Sequence, residues 1–210
     1  MASVQDRISV ILPTLNDTVQ DRHTNSKLLG YYRDALKEAC VLRPDLFAQD
    51  VSFSAIAGVE QAVPSTVGVH LLDVYRTNNS GELTKGDYNT MRSFMPGWRS
   101  ASAGPATMWM TKPGSDKARA MNRAFFLWPP QRGTETIFVC AAVVQDLAGG
   151  VTTTIVLDDH YLPIIDHYVV ARCEMEDDEY AVSGRASAQM QLFLQGLGVG
   201  KAVKDEKVKA

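Results

Sequence analysis

No stretch of this chain approaches the ~20 apolar residues that a membrane-spanning helix requires, so it does not read as a membrane protein. The opening MASVQDRISVILPTLNDT holds only a short apolar patch, with Asp6 and Arg7 before it and no small-residue cleavage site after it. That argues against a secretory signal. Cysteine is scarce: Cys40, Cys140 and Cys173 are widely spaced, odd in number and outside any CxxC. The pattern suits a reducing compartment and argues against a disulfide framework or a zinc site, so packed thiols are expected. Excess positive charge is missing too. A net charge of −3 over 210 residues leaves no basic footprint for gripping nucleic acid.

Catalytic signatures are absent as well. There is no GxSxG elbow, Walker A loop, GxGxxG turn or HExxH. Asp158, Asp159 and His160 form an acidic and imidazole cluster, and Asp166–His167 repeats the pairing seven residues later. Two helical turns separate His160 from His167 by ~10 Å, too far to share one metal without outside ligands. These residues read as caps and as interface or surface histidines. The acidic run Glu174, Glu176, Asp177, Asp178 and Glu179 lacks the alternating ligands and central glycine of a calcium loop, so it reads as a solvated turn with Asp178 capping a second helix. Trp98, Trp109 and Trp128, with Tyr31, Tyr32 and Tyr75, lack the interleaved cations of a base-stacking platform and read as packing residues. Lys112, Lys117, Arg119 and Arg123 form the one local positive patch, read as a solvated loop or a contact with a partner or DNA.

What is present is a moderate apolar content, 45%, enough for a core in one large domain or two small ones. Leu28, Leu29, Tyr32, Leu36, Ala39 and Cys40 share a helical face, which predicts a helix over 26–42 stopped by Pro44. Alternation predicts strands at Val51–Ala57, ended by Gly58, and at Val67–Tyr75. Asp87–Met95 reads as a short helix closed by Pro96–Gly97. Arg123–Trp128 and Thr134–Val144 read as a hairpin across PPQRG, with the second strand central because both its faces are apolar. Val151–Leu157 reads as a last, Thr-rich strand. Two helices are then expected. One spans 159–175, with a stripe of Tyr161, Ile164, Ile165, Tyr168, Val169 and Arg172 and Pro163 in its first turn. The other spans 180–197, with Ala186, Met190, Phe193, Leu194 and Leu197 on one face and Gly196 and Gly198 at its end. The charged KAVKDEKVKA beyond Gly200 has no apolar helical face and reads as a tail that needs a partner to order it.

The order of these segments carries a resemblance. ILPTLNDT opens the chain, then come the helix LLGYYRDALKEACVLRPDLF, the GVEQAVP turn, the DVYRTN strand end, YNTMRSFMPGWR, RAFFLWPPQRGTETIFVCAAV and the terminal helical pair. Over residues 8–198 this order resembles head-to-tail adaptor proteins of short-tailed bacteriophages, of the connector or tail-tubular type. The fold expected is α+β: a helical body, made of the N-terminal helix and the C-terminal helical pair, with an inserted β-sheet region. One adaptor domain is expected over 1–198, with helical parts at about 14–46 and 158–198 and the β region at about 50–157, followed by the tail 199–210. The resemblance implies a structural virion protein at the head–tail junction, made in the host cytoplasm, with no enzymatic activity and no cofactor or metal. Its implied partners are the portal protein, the tail nozzle protein, other copies of itself in a ring of twelve, and double-stranded DNA passing the bore without specific binding. In the tail, Val199, Lys201, Val203, Lys204 and Val208 are the expected portal-binding residues. The alternatives are another neck or tail component, such as a tail terminator, and a small cytoplasmic enzyme with a site assembled from dispersed residues.

Overall fold

The computed structural model describes residues 2–113, 123–176 and 184–199. In chain order the first elements are α1 (Val4–Ile11), α2 (Asn25–Leu42), β1 (Ala48–Ser54), β2 (Gly58–Ala62), β3 (His70–Thr77), β4 (Thr84–Lys85) and α3 (Tyr88–Phe94). They are followed by β5 (Met108–Thr111), β6 (Ala124–Gln131), β7 (Thr136–Ala142), α4 (Leu162–Glu176) and α5 (Arg185–Gly196). The fold is α+β. Two compact units share it, one of Met1–Arg43 with Gln145–Ala210 and one of Pro44–Val144.

In the helical unit, α1 exists because its start is doubly capped. Ser3 Oγ accepts from the Asp6 N–H, and the Ser3 N–H donates to Asp6 Oδ2 at 2.8 Å. The sequence pattern does not announce this helix, since eight residues give barely two turns of periodicity. Thr24 caps α2, whose buried face is Leu28, Tyr31, Tyr32, Ala35, Leu36, Ala39 and Cys40. The expected stripe on α4 needs correction. Leu162, Ile165, Val169, Val170, Ala171 and Cys173 are all buried, so α4 is apolar on more than one side. The reason is its place: it packs against α1, α2 and α5 together, and a helix hydrophobic nearly all round is a buried one.

Residues 151–157 are not a strand. A 3-10 turn at Gly150–Thr152 and a single bridge between Ser3 and Thr154 replace it. Ile155 and Leu157 are buried there, so the segment packs its apolar residues without a strand ladder.

The β unit is built from two sheets, ordered β1-β7-β3 and β2-β6-β5-β4. The expected hairpin across PPQRG is therefore wrong: β6 and β7 are consecutive but lie in different sheets. Their apolar faces explain it, because Phe125 and Leu127 of β6 pack face to face with Ile137, Val139 and Ala141 of β7 across one core. The strand before the turn crosses to the opposite layer instead of folding back beside its neighbour. β7 is central in its sheet, as its sequence predicts. The GVEQAVP segment is strand β2 rather than a turn, and Gly58 opens it rather than ending β1. On the other face of β6, Phe126 meets Met91 and Trp98 from α3 and the turn after it. Asp87 caps α3 through the Thr90 N–H. Sheet β2-β6-β5-β4 is thus covered on both faces.

Candidate functional site

The C-terminal helix sets where the chain departs toward residue 200. Gly184, at φ +88, opens α5 in a conformation that disfavours other side chains. Phe193 and Leu197 are buried, and the Phe193 ring lies 5.1 Å from that of Tyr168 on α4. Gly196 lets the helices approach closely, since a Cβ there would fall 2.8 Å from the Ile164 side chain. Arg43, just past the end of α2, donates from Nη1 to the Leu197 carbonyl at 2.9 Å. That guanidinium satisfies one of the carbonyls left open at a helix C-terminus and suits the negative end of the dipole. Gly198, at φ +78, then turns the chain and leaves Val199 half-buried. Of the expected portal-binding residues, Val199 leaves from this pinned point. Lys201, Val203, Lys204 and Val208 lie outside the described residues, as do Lys117, Arg119, Asp177, Asp178 and Glu179.

The helices beneath are keyed together by buried charge. Asp166 is 7% exposed and accepts from Arg7 of α1 and, at 2.8 Å, from the Tyr32 hydroxyl of α2. Donating to the Asp166 carboxylate pushes the Arg7 pKa up, against the effect of burial. Burial, with Asp166 beside it, raises that of Tyr32. The Asp166–His167 pair is therefore no cap and no surface pair. Asp166 joins three helices, and His167 Nδ1 lies 2.6 Å from Gln189 Oε1 on α5. Glu174 and Glu176, expected in a solvated turn, belong to α4 and are partnered. Arg185 Nε lies 3.3 Å from Glu174, and Lys27 Nζ lies 2.9 Å from Glu176. The Tyr31 hydroxyl and Lys27 hold Glu176 below the usual carboxylate range. Asp158 and His160 are exposed partners of each other, 2.7 Å apart, and Asp158 caps the turn before α4. In the loop after α1, the Asp17 carboxylate accepts from the backbone N–H groups of Asp21, Arg22 and His23. Burial works to raise its pKa, and those N–H groups hold it below normal.

In the β unit, Lys112 is engaged by Glu60, and Arg123 is half-buried before β6. Trp98 and Trp109 are core residues, while Trp128 is half-buried against the α3 side. Arg99 sits 5.2 Å from the Trp98 ring centroid and 5.1 Å from that of Phe126. An open cleft of ≈ 480 Å³ is lined by Lys85, Asp87, Tyr88, Asn89, Thr111 and Lys112. Its Lys85 already lies 4.9 Å over the Trp109 ring. All three cysteines are free thiols; burial pushes Cys40 up to about 11 and Cys173 up to about 12. Among the described residues no cluster of side chains has metal-ligand geometry, and no helix is long and apolar enough to cross a membrane.

Sequence reasoning missed Arg43 and misread Asp166 as a cap. For Asp166 a signal existed: one carboxylate inside the apolar run LPIIDHYVV is affordable only if a partner neutralises it. For Arg43 there was none, because its partner is a backbone carbonyl 154 residues away. The model of a protein family described as SU10 adaptor protein matches residues 1–208. No curated protein matches the chain.

Proposed function

The chain belongs to the SU10 adaptor protein family, phage structural adaptors and not an enzyme class, and from that premise we propose how it works in the virion. A ring of copies joins the capsid portal to the tail nozzle, twelve on a twelve-fold portal, and duplex DNA passes through its bore. The observation that carries this reading is the family match over nearly the whole chain. The mild acidity agrees with it: twelve copies at −3 each carry on the order of −36, which repels phosphates and lets DNA slide.

Attachment falls to the segment after α5. Residues 199–210 dock in clefts between portal subunits, where burying Val199, Val203 and Val208 contributes up to ~1.5–3 kcal/mol each before ordering costs. Lys201 and Lys204 belong to the same proposed contact with the portal. The Arg43–Leu197 hydrogen bond supports this role, because it fixes the point from which the segment leaves. Multiplied around a ring, a few kcal/mol per copy makes attachment effectively permanent. Truncation after Gly198 tests it. The melting temperature should stay nearly unchanged while attachment to portal-bearing heads is lost. Attachment of the truncated protein at wild-type occupancy would remove these residues from the account.

A further inference from the structure

A closed ring of identical copies needs two different, mutually complementary patches on every copy, because each copy meets its two neighbours through unlike surfaces. The helical unit carries two exposed patches that are both uncharged. From Ala186 to Val199 the chain holds no Asp, Glu, Lys or Arg, and the same is true from Leu147 to Leu157, in a chain that is 21% charged. Exposed in the first segment are Ser187, Ala188, Gln191, Leu192 and Gln195 along α5, with Leu192 at 45%. Exposed in the second are Ala148, Thr152, Thr154 and Val156, with Val156 at 57%. Depletion of Lys, Glu and Asp distinguishes the centre of an interface from ordinary surface.

Their placement is what a ring requires. α5 packs chiefly on α4, while the turn at Gly150–Thr152 packs on α1 and α2, and α2 in turn packs on α4. The two patches are therefore carried by different elements, one resting on α4 and the other on α1 and α2. Both are held rigidly. The second is tied down by the Val4 N–H to the Thr153 carbonyl at 3.0 Å, the Ile155 N–H to the Ala2 carbonyl at 3.0 Å, and Arg33 to the Leu147 carbonyl at 2.9 Å. The first is tied down by Phe193, Gly196 and Arg43.

We infer that the occupant of each patch is a second copy of this chain: the uncharged face of α5 on one copy packs against the 148–156 strip of the next, and this contact closes the ring. The inference rests on the ring reading above and names its contact. Size favours a neighbour over an independent partner. A helix of 12 residues is ~18 Å long, so one such face covers only a few hundred Å², well below the ~800 Å² per side of a stable free-standing complex. Such a contact does not hold a pair in solution. Repeated around a ring and templated by the portal, it does.

Charge placed on either flank tests this, with ring occupancy on isolated portals as the readout. Ala188→Glu with Leu192→Glu on α5 should raise the concentration for half-occupancy at least about tenfold, and Thr154→Lys with Val156→Lys on the strip should do the same. All four sites are exposed, so both variants should melt within a few degrees of wild type. The four-fold variant, acidic on one flank and basic on the other, should recover to within about threefold of wild type, because each contact then pairs opposite charges. Loss with the α5 variant alone, or no recovery in the four-fold variant, would show that α5 meets a different protein. Unchanged rings from both pairs would also overturn the inference while leaving the ring intact. If the wild-type protein forms no ring on portals, the parent reading falls with it.

Discussion

The helical unit and the β unit both bury apolar cores and differ in how far buried charge helps to join their elements. In the helical unit, neighbouring helices are joined by partnered charge: Asp166 links α4 to α1 and α2, Glu174 links α4 to Arg185, and Lys27 links α2 to Glu176. In the β unit the two apolar clusters do this work, and cations lie over aromatic rings, as Arg76 does 4.5 Å from the Phe138 centroid. Geometry gives the reason. A strand's register is already fixed by its backbone ladder, and a one-residue slip would turn its buried side chains to the opposite face. Packed helices have no ladder between them and can slide or rotate, so a buried charge with one correct partner is a means of choosing one arrangement.

The sharpest way to break this comparison is to remove its central key. Asp166→Ala leaves the half-buried Arg7 and the buried Tyr32 hydroxyl without their partner and should cost ~3 kcal/mol. All three tryptophans, 98, 109 and 128, lie in the β unit, so indole emission reports on that unit while helical ellipticity reports mainly on the other. In urea the ellipticity transition should move to lower concentration, and the emission transition should stay. If both move together by the same amount, the two units unfold as one block and the contrast fails.

A smaller effect is expected from a buried carboxylate that organises a turn of the β unit. Glu135, 3% exposed, accepts from the backbone N–H groups of Arg132, Gly133 and Thr134. Burial works to raise its pKa, and those N–H groups hold it below the usual glutamate range. Because the folded pKa is the lower one, its contribution is fully present above the unfolded value of ~4.3 and is lost as pH falls through the folded value. Glu135→Ala should cost ~1–3 kcal/mol at pH 7, read from tryptophan emission, and the gap to wild type should shrink below pH ~4. A gap that stays constant down to pH ~3 would mean that the loop does not depend on the charged form.

Legibility in the sequence divides along the same line. Helices α2, α3 and α5 are readable from period or punctuation: Pro44 after α2, Asp87 before α3, Gly196 and Gly198 around the end of α5, although the N-cap of α5 is Gly184 and not the expected Asp178. Strand β7 is readable as central from its two apolar faces. α1 escapes notice because two turns show little period, although Ser3 and Asp6 spell a capping box. The β6–β7 connection misleads because a Pro-Pro-Gln-Arg-Gly turn is the same whether a chain folds back or crosses to a second sheet; only the partner strands decide. Of the site, the uncharged run of α5 is visible, but its pinning by Arg43 is not, since a contact with a distant backbone carbonyl leaves no pattern.

The ring itself is tested most directly by mass. Alone at micromolar concentration the protein should sediment as a monomer, because its flank patches are too small to hold a pair. Mixed with isolated portals, it should give a complex whose mass corresponds to one copy per portal subunit, imaged as a continuous ring. Portals that stay bare, or that carry scattered single copies at saturating protein, would contradict the account.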